Sequence, residues 1–226
     1  MIPKDTIEAS YRGRRVRKLR PALQRNLDAR LPFLSLEHYG QALWSRIKQN
    51  FLPGYEALWV EAGFGAGEHL LAQARANPHI AMIGCEPYAQ GHGALIGAME
   101  KDPVPNVRLY VGMVQHLLAS LPDGVLDRFT ALFPDPWPKR RHQKRRMFNA
   151  QMVCDLARVL KSGGMIYMAS DHPLMVDWAL WQMRACDAFI WQHHFDWQTQ
   201  PTDSVPTRYQ QKALAGKASF LFFQRR

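Results

Sequence analysis

Residues 133–139 read Phe-Pro-Asp-Pro-Trp-Pro-Lys, so one acid and one indole stand two positions apart on a stretch punctuated by three prolines. Arg140, Arg141, His142, Lys144, Arg145 and Arg146 follow at once. The apolar run from Phe129 to Phe133 reads as a buried strand. Proline supplies neither a ladder donor nor a helical N–H, so the strand stops and Asp135 is held on a stiff turn. An acid beside a flat aromatic, with cations behind it, suits holding a nucleobase while gripping its phosphates. The plainer account is a proline-rich turn followed by a solvated, charged helix start.

A second set of residues lies upstream. Gly63, Gly65 and Gly67 let the backbone bend tightly and approach a ligand without a Cβ in the way. Their spacing is Gly-x-Gly-x-Gly, not the dinucleotide-binding Gly-x-Gly-x-x-Gly, which argues against NAD. Glu61 stands just before the turn, where an anion repels a pyrophosphate and attracts a cationic amino-acid end. Glu86 follows at the end of the next strand, the place for an acid that accepts two ribose hydroxyls. Together these suit S-adenosylmethionine, a nucleoside with a zwitterionic tail and a sulfonium. A tight turn flanked by ordinary strand-end acids is the bland alternative. The third strand ends in Val111-Gly112-Met113-Val114-Gln115, where Met113 can pack on an adenine but cannot accept a strong hydrogen bond.

These residues need a scaffold, and the pattern predicts one. Strands are expected at 57–62, 80–86, 107–111, 126–133 and 165–170. Helices are expected at 42–50, 68–76, about 89–99, 114–121, 146–160 and 173–185. Ser162-Gly163-Gly164 reads as the stop of the helix before it. Two β-rich stretches, 190–197 and 219–223, close the chain. Strands alternating with helices imply an α/β fold, a mostly parallel sheet flanked by helices on both faces. Ligands of such a sheet sit outside the strands' carboxyl ends, where Gly63, Glu86 and Asp135 all fall.

Composition narrows the setting. The 226 residues are 47% hydrophobic, enough for one sizeable core, and carry a net charge of +10. Such a balance favours an anionic partner. Arg12, Arg14, Arg15, Arg17, Lys18 and Arg20 crowd a flexible arm over residues 1–20, either a phosphate-binding arm or a solubilising tail. Residues 21–226 are expected to form a single domain. Cys85, Cys154 and Cys186 have no metal-type spacing and read as thiols in a reducing compartment, so no metal is expected. With no apolar run of membrane-spanning length and no h-region, a cytoplasmic protein without membrane attachment is expected.

Taken together, the chain resembles the bacterial tRNA (guanine-N7)-methyltransferase family. The resemblance rests on the basic arm, Glu-Ala-Gly-Phe-Gly-Ala-Gly-Glu at 61–68, Gly-Cys-Glu-Pro at 84–87, Phe-Pro-Asp-Pro-Trp-Pro-Lys at 133–139, Ser-Asp at 170–171 and Thr-Arg-Tyr at 207–209. It implies a Rossmann-like class I methyltransferase fold, S-adenosylmethionine as methyl donor and tRNA guanine as acceptor, typically position 46 in the variable loop. By the same resemblance, Glu61, Gly63, Gly65, Glu86, Gly112, Met113 and Asp135 bind the cofactor, and Asp135 is the catalytic candidate. Lys139, Asp171 and the segment Thr207-Arg208-Tyr209-Gln210 are implied substrate contacts. Two positions depart from the family pattern. Gly112 or Met113 stands where an aspartate is usual, and Gln210 stands where a glutamate is usual.

Guanine N7 has a free lone pair, so no base need remove a proton before attack. The protein's work is alignment and support of the positive charge that moves onto the purine. Asp135 can lie near that charge or orient guanine through N1–H and N2–H₂; the sequence leaves both roles open. Trp137 can stack on a base or wedge under the proline turn. Two other functions remain: an exocyclic-amine RNA methyltransferase, and a non-catalytic RNA-binding protein that kept the fold. A monomer is the expected state, with a homodimer left open.

Overall fold

A computed structural model describes residues 19–36, 42–193, 196–212 and 215–226. The basic arm up to Lys18 lies outside the described residues. The strands are β1 (Ala57–Ala62), β2 (Ile80–Glu86), β3 (Val107–Val111), β4 (Leu126–Leu132), β5 (Leu160–Ser170), β6 (Phe189–Trp191) and β7 (Ser219–Arg225). They form one sheet in the order β3-β2-β1-β4-β5-β7-β6. Neighbours from β3 to β5 pair in parallel, while β7 runs antiparallel to both β5 and β6. The order reverses between β1 and β4, which places a crevice at their carboxyl ends.

Helices α1 (Pro21–Leu34), α2 (Leu43–Asn50), α3 (Glu68–Ala76), α4 (Ala89–Lys101), α5 (Val114–Ser120), α6 (Ala150–Val159), α7 (Pro173–Arg184) and α8 (Arg208–Lys212) complete the chain. Alternation along the strands divides the core in two. Leu58, Val60, Ala62, Ala81, Ile83, Cys85, Phe129 and Ala131 face one side, packed with buried residues of α2, α5, α6 and α7. Ile80, Met82, Leu109 and Val111 face the other, packed with α1, α3 and α4. Strand β2 is buried along its whole length, as a central parallel strand covered on both faces should be. No helix among the described residues is long and apolar enough to cross a membrane.

Four local expectations change. Helix α1 has no counterpart in the periodicity: only Leu27 and Leu31 are buried, and Pro32 lies within it. It is fixed from outside, by α4. A Cβ on Gly93 would come within 3.1 Å of Leu23, and one on Gly97 within 2.9 Å of the Asn26 amide, so two glycines let the helices close together. The expected helix stop at Ser162-Gly163-Gly164 is instead part of β5. Helix α6 ends at Val159, buried Leu160 pairs with Leu126, and residues 161–164 bulge before Met165 pairs with Arg128. The strand expected over 190–197 is only Phe189–Trp191. The basic tract forms a short 3-10 helix, Arg140–Arg145, separate from α6.

Candidate active site

The glycine turn connects β1 to α3 at the crevice. The Gly63 N–H donates to the Cys85 carbonyl at 2.7 Å, tying the turn to the end of β2. Gly67 adopts φ 87° and packs against Leu95, whose side chain a Cβ on Gly67 would overlap. A residue with a side chain is excluded there on both counts. Gly65 sits higher, at φ 58°, and its N–H donates to Glu86 Oε2 at 3.1 Å.

Glu86 receives a second backbone bond, from the Tyr88 N–H to Oε1 at 3.0 Å. Each carboxylate oxygen has a further lone pair to offer. Burial pushes the Glu86 carboxyl up to about 7; the two backbone N–H groups oppose that rise, and the nearby Asp135 charge adds to it. Beneath it, the His92 Nε2–H donates to the Glu86 carbonyl at 2.7 Å, and burial holds this imidazole down to about 4, hence neutral. Gly91 closes the arrangement: a Cβ there would overlap the Gly65 carbonyl and lie 2.9 Å from Glu86 Cγ.

Glu61 is also buried, and its Oε2 pairs with His69 Nδ1 of α3 at 2.7 Å. At the end of β3, the Gly112 N–H donates to the Glu86 carbonyl at 3.3 Å and Met113 precedes α5. Gln115 Oε1, in the first turn of α5, is buried with no hydrogen-bond partner among the described residues.

Asp135 follows β4 on a turn whose two ends are both in the left-handed region, Phe133 at φ 53° and Trp137 at φ 42°. Non-glycine residues there cost on the order of 1 kcal/mol or more each, so the surroundings must impose the shape. One anchor is the Phe133 N–H, which donates to the Ala169 carbonyl of β5 at 2.7 Å. Another is Arg146, which donates from Nε to the Pro136 carbonyl and from Nη2 to the Trp137 carbonyl, each at 3.1 Å. The Trp137 ring is half-buried, with the Arg145 guanidinium 5.0 Å above it and the His142 edge against it. Lys139, Arg140, Arg141, Lys144 and Arg145 are exposed behind the turn.

The C-terminal segment crosses over the site. Its base is fastened where the Tyr167 hydroxyl donates to Ser204 Oγ at 3.2 Å, the Gln73 amide donates to the Asp203 carbonyl, and Arg128 approaches the Asp203 carboxylate at 3.5 Å. Burial pushes Tyr167 up to about 12, so it stays a phenol. Further on, the Gln210 N–H donates to Thr207 Oγ1, the Gln210 amide donates to Gln200, and Arg208 pairs with Glu68 at 2.6 Å. The Tyr209 ring then lies over Gly65, 3.7 Å from where a Cβ would stand. Asp171, at the end of β5, accepts from the Ala215 N–H at 3.1 Å.

The residues singled out in the sequence thus gather at one edge of the sheet. The Asp135 charge reaches Glu86, and Arg208 and Tyr209 reach the glycine turn. Gln210 turns its amide toward Gln200. Sequence reasoning missed His69, His92, Gly91 and the clamp by Arg146. Gly91 had a signal, since glycine within a helix is costly without a packing reason; the histidines had none.

The family described as "Putative methyltransferase" matches residues 55–221. The tRNA (guanine-N(7)-)-methyltransferase of Rhodospirillum rubrum is 44% identical over 233 residues, spanning 100% of this chain and 91% of that relative. That of Nitrobacter hamburgensis is 38% identical, spanning 96% of this chain and 87% of that relative. Among solved structures, the 16S rRNA methyltransferase KamB superposes with a TM-score of 0.58 at 13% identity, over 80% of this chain and 93% of that one. With the strand order 3-2-1-4-5-7-6 and this identity along the chain, the protein has the class I methyltransferase fold and belongs to the tRNA (guanine-N(7)-)-methyltransferase family.

Proposed function

We infer that the chain methylates N7 of a guanine in tRNA, typically at position 46 in the variable loop, with S-adenosylmethionine as donor. The observation that carries this reading is the convergence of a glycine turn, a buried Glu86 and Asp135 on a constrained turn at one crevice, with exposed cations directly behind. The residues fit the cofactor. Glu86 has lone pairs for two ribose hydroxyls, the turn at Gly63 and Gly65 leaves room, and the unpartnered Gln115 oxygen offers an acceptor where the usual third-strand acid is missing. When bound, the cofactor supplies a sulfonium methyl that passes to the guanine N7 lone pair as its C–S bond breaks.

What the chain itself contributes is placement. Glu61, held by His69, offers its carboxylate to the amino-acid end of the cofactor. Asp135 stands at the crevice to orient guanine or support the purine's developing charge, and Tyr209 closes over the glycine turn. Lys139 and the exposed cations at 140–145 contact phosphates, with the arm at 1–20 adding more. Asp171, Thr207, Arg208 and Gln210 complete the substrate side, and the setting is the cytoplasm, where tRNA matures.

The test is incubation with methyl-labelled cofactor and bulk tRNA, followed by digestion and identification of the labelled nucleoside. N7-methylguanosine is expected. Label on an exocyclic nitrogen would move the chain to amine methylation. Cofactor binding without transfer to any tRNA would leave an RNA-binding protein.

A further inference from the structure

Arg146 closes the run of basic residues behind Asp135, and by sequence it belongs with the phosphate-gripping cations. The structure separates it from them. Arg140, Arg141, Lys144 and Arg145 are exposed, whereas Arg146 is 6% exposed and turned inward. Its guanidinium spans two consecutive carbonyls, those of Pro136 and Trp137, at 3.1 Å each. Its face lies 4.7 Å above the Trp178 ring of α7, and the Trp178 indole N–H in turn donates to the Phe148 carbonyl. A planar fork presents fixed donors from two nitrogens, one to each carbonyl, whereas an ammonium offers its donors from a single point on a flexible stem.

We propose that Arg146 is a positioning residue for Asp135: it clamps the strained Phe133–Trp137 turn against α7 and takes no part in binding tRNA phosphates. The turn needs such a clamp. Phe133 and Trp137 both hold left-handed backbone, Pro134 and Pro136 have no N–H to give a ladder, and the Pro136 and Trp137 carbonyls are the groups Arg146 engages. Released, the turn relaxes toward ordinary φ values and carries Asp135 with it. Misplacement by about 1 Å is enough to cost up to about 100-fold in turnover.

The role in turnover rests on the methyltransferase reading above; the clamp itself does not. Arg146→Lys keeps the charge over Trp178 but loses the fork, and Arg146→Ala loses both. Two measurements on the full chain decide the matter. Hydrogen exchange of the peptide covering 133–145 should accelerate in both variants while β1 and β2 stay protected. Turnover with tRNA should fall by about 10- to 100-fold, with tRNA affinity and its salt slope unchanged. Lys144→Ala, by contrast, should lower the salt slope by about one and leave the exchange of the turn unaltered. If Arg146→Ala weakens tRNA binding and flattens the slope at unchanged turnover, Arg146 is a phosphate contact and the proposal is overturned. Unchanged exchange in both variants also overturns it, and so does normal turnover despite faster exchange. Should the unsubstituted protein methylate no tRNA, the methyltransferase reading fails, while the exchange measurement still decides whether Arg146 clamps the turn.

Discussion

On the reading proposed above, Glu86 works under two opposed demands: it must be buried to face a nucleoside, yet ionised to accept ribose hydroxyls well. Burial lifts its carboxyl from an ordinary 4.5 to about 7, so between those values the folded chain holds a proton that the unfolded chain has released. The stability linked to that proton is complete below about pH 4.5 and is lost as pH rises through about 7. Its size is on the order of 3 kcal/mol. Glu86→Gln removes the titration, so its melting temperature relative to the unsubstituted chain should improve between about pH 5 and pH 8. Affinity for S-adenosylhomocysteine should move the other way in the unsubstituted chain, rising over that window, and calorimetry should show the rise flattened in Glu86→Gln. Asp135 divides differently. Asp135→Asn keeps size and one acceptor but removes charge. If the carboxylate supports the cationic purine, turnover should drop by about 100-fold or more with little change in binding. Loss of tRNA affinity as well would assign it to reading N1–H and N2–H₂, and near-normal turnover would leave it a turn former.

At the scale of elements, the site depends on how closely α4 approaches the glycine turn. Gly91 in the first turn of α4 leaves no space for a methyl group between the Gly65 carbonyl and Glu86. Gly91→Ala should therefore push the turn and the carboxylate apart, although alanine is the better helix former. We expect weaker S-adenosylhomocysteine binding by about 1–3 kcal/mol, measured by calorimetry, together with a lower melting temperature. Unchanged affinity would mean that the turn shifts without cost. Helix α1 depends on the same helix from its other side, through Gly93 and Gly97, so the glycines of α4 serve both the core and the site.

The whole molecule carries a net charge of +10, with a cluster of exposed cations behind the Asp135 turn and six more basic residues at positions 12–20. A polyanion gripped through phosphates releases counterions, so tRNA affinity should fall steeply with salt. Deleting residues 1–18 should make the slope of log affinity against log salt shallower by about 0.7–0.9 for each phosphate that the arm neutralises. An unchanged slope in filter binding or fluorescence titration would make the arm a solubilising tail. The strap formed by residues 196–212 belongs to this scale too. It is fastened to β4, β5 and α3 at its base and reaches Gly65 at its tip, so one segment of chain ties the far strands to the glycine turn.

Period-two and helical patterns, glycine spacing and proline punctuation were enough to place β1 to β4, α3 to α5 and the three strand ends that bear Glu61, Glu86 and Asp135. Those signals are local: an apolar face or a forbidden φ is written in neighbouring residues. The sequence alone also marked residues 133–146 as the centre, through an acid, an indole and a cationic run. It could not say that Arg146 leaves that run for the interior, because only Trp178 and the two carbonyls of the proline turn decide where the guanidinium goes. Nor could it find α1, whose weak apolar face is stable only against the glycines of α4. The pairing of Glu61 with His69, the neutral His92 beneath Glu86 and the seat of Tyr209 over Gly65 are likewise contacts between elements. Burial is what keeps His92 neutral and lifts the Glu86 carboxyl, and it exists only once the chain has packed.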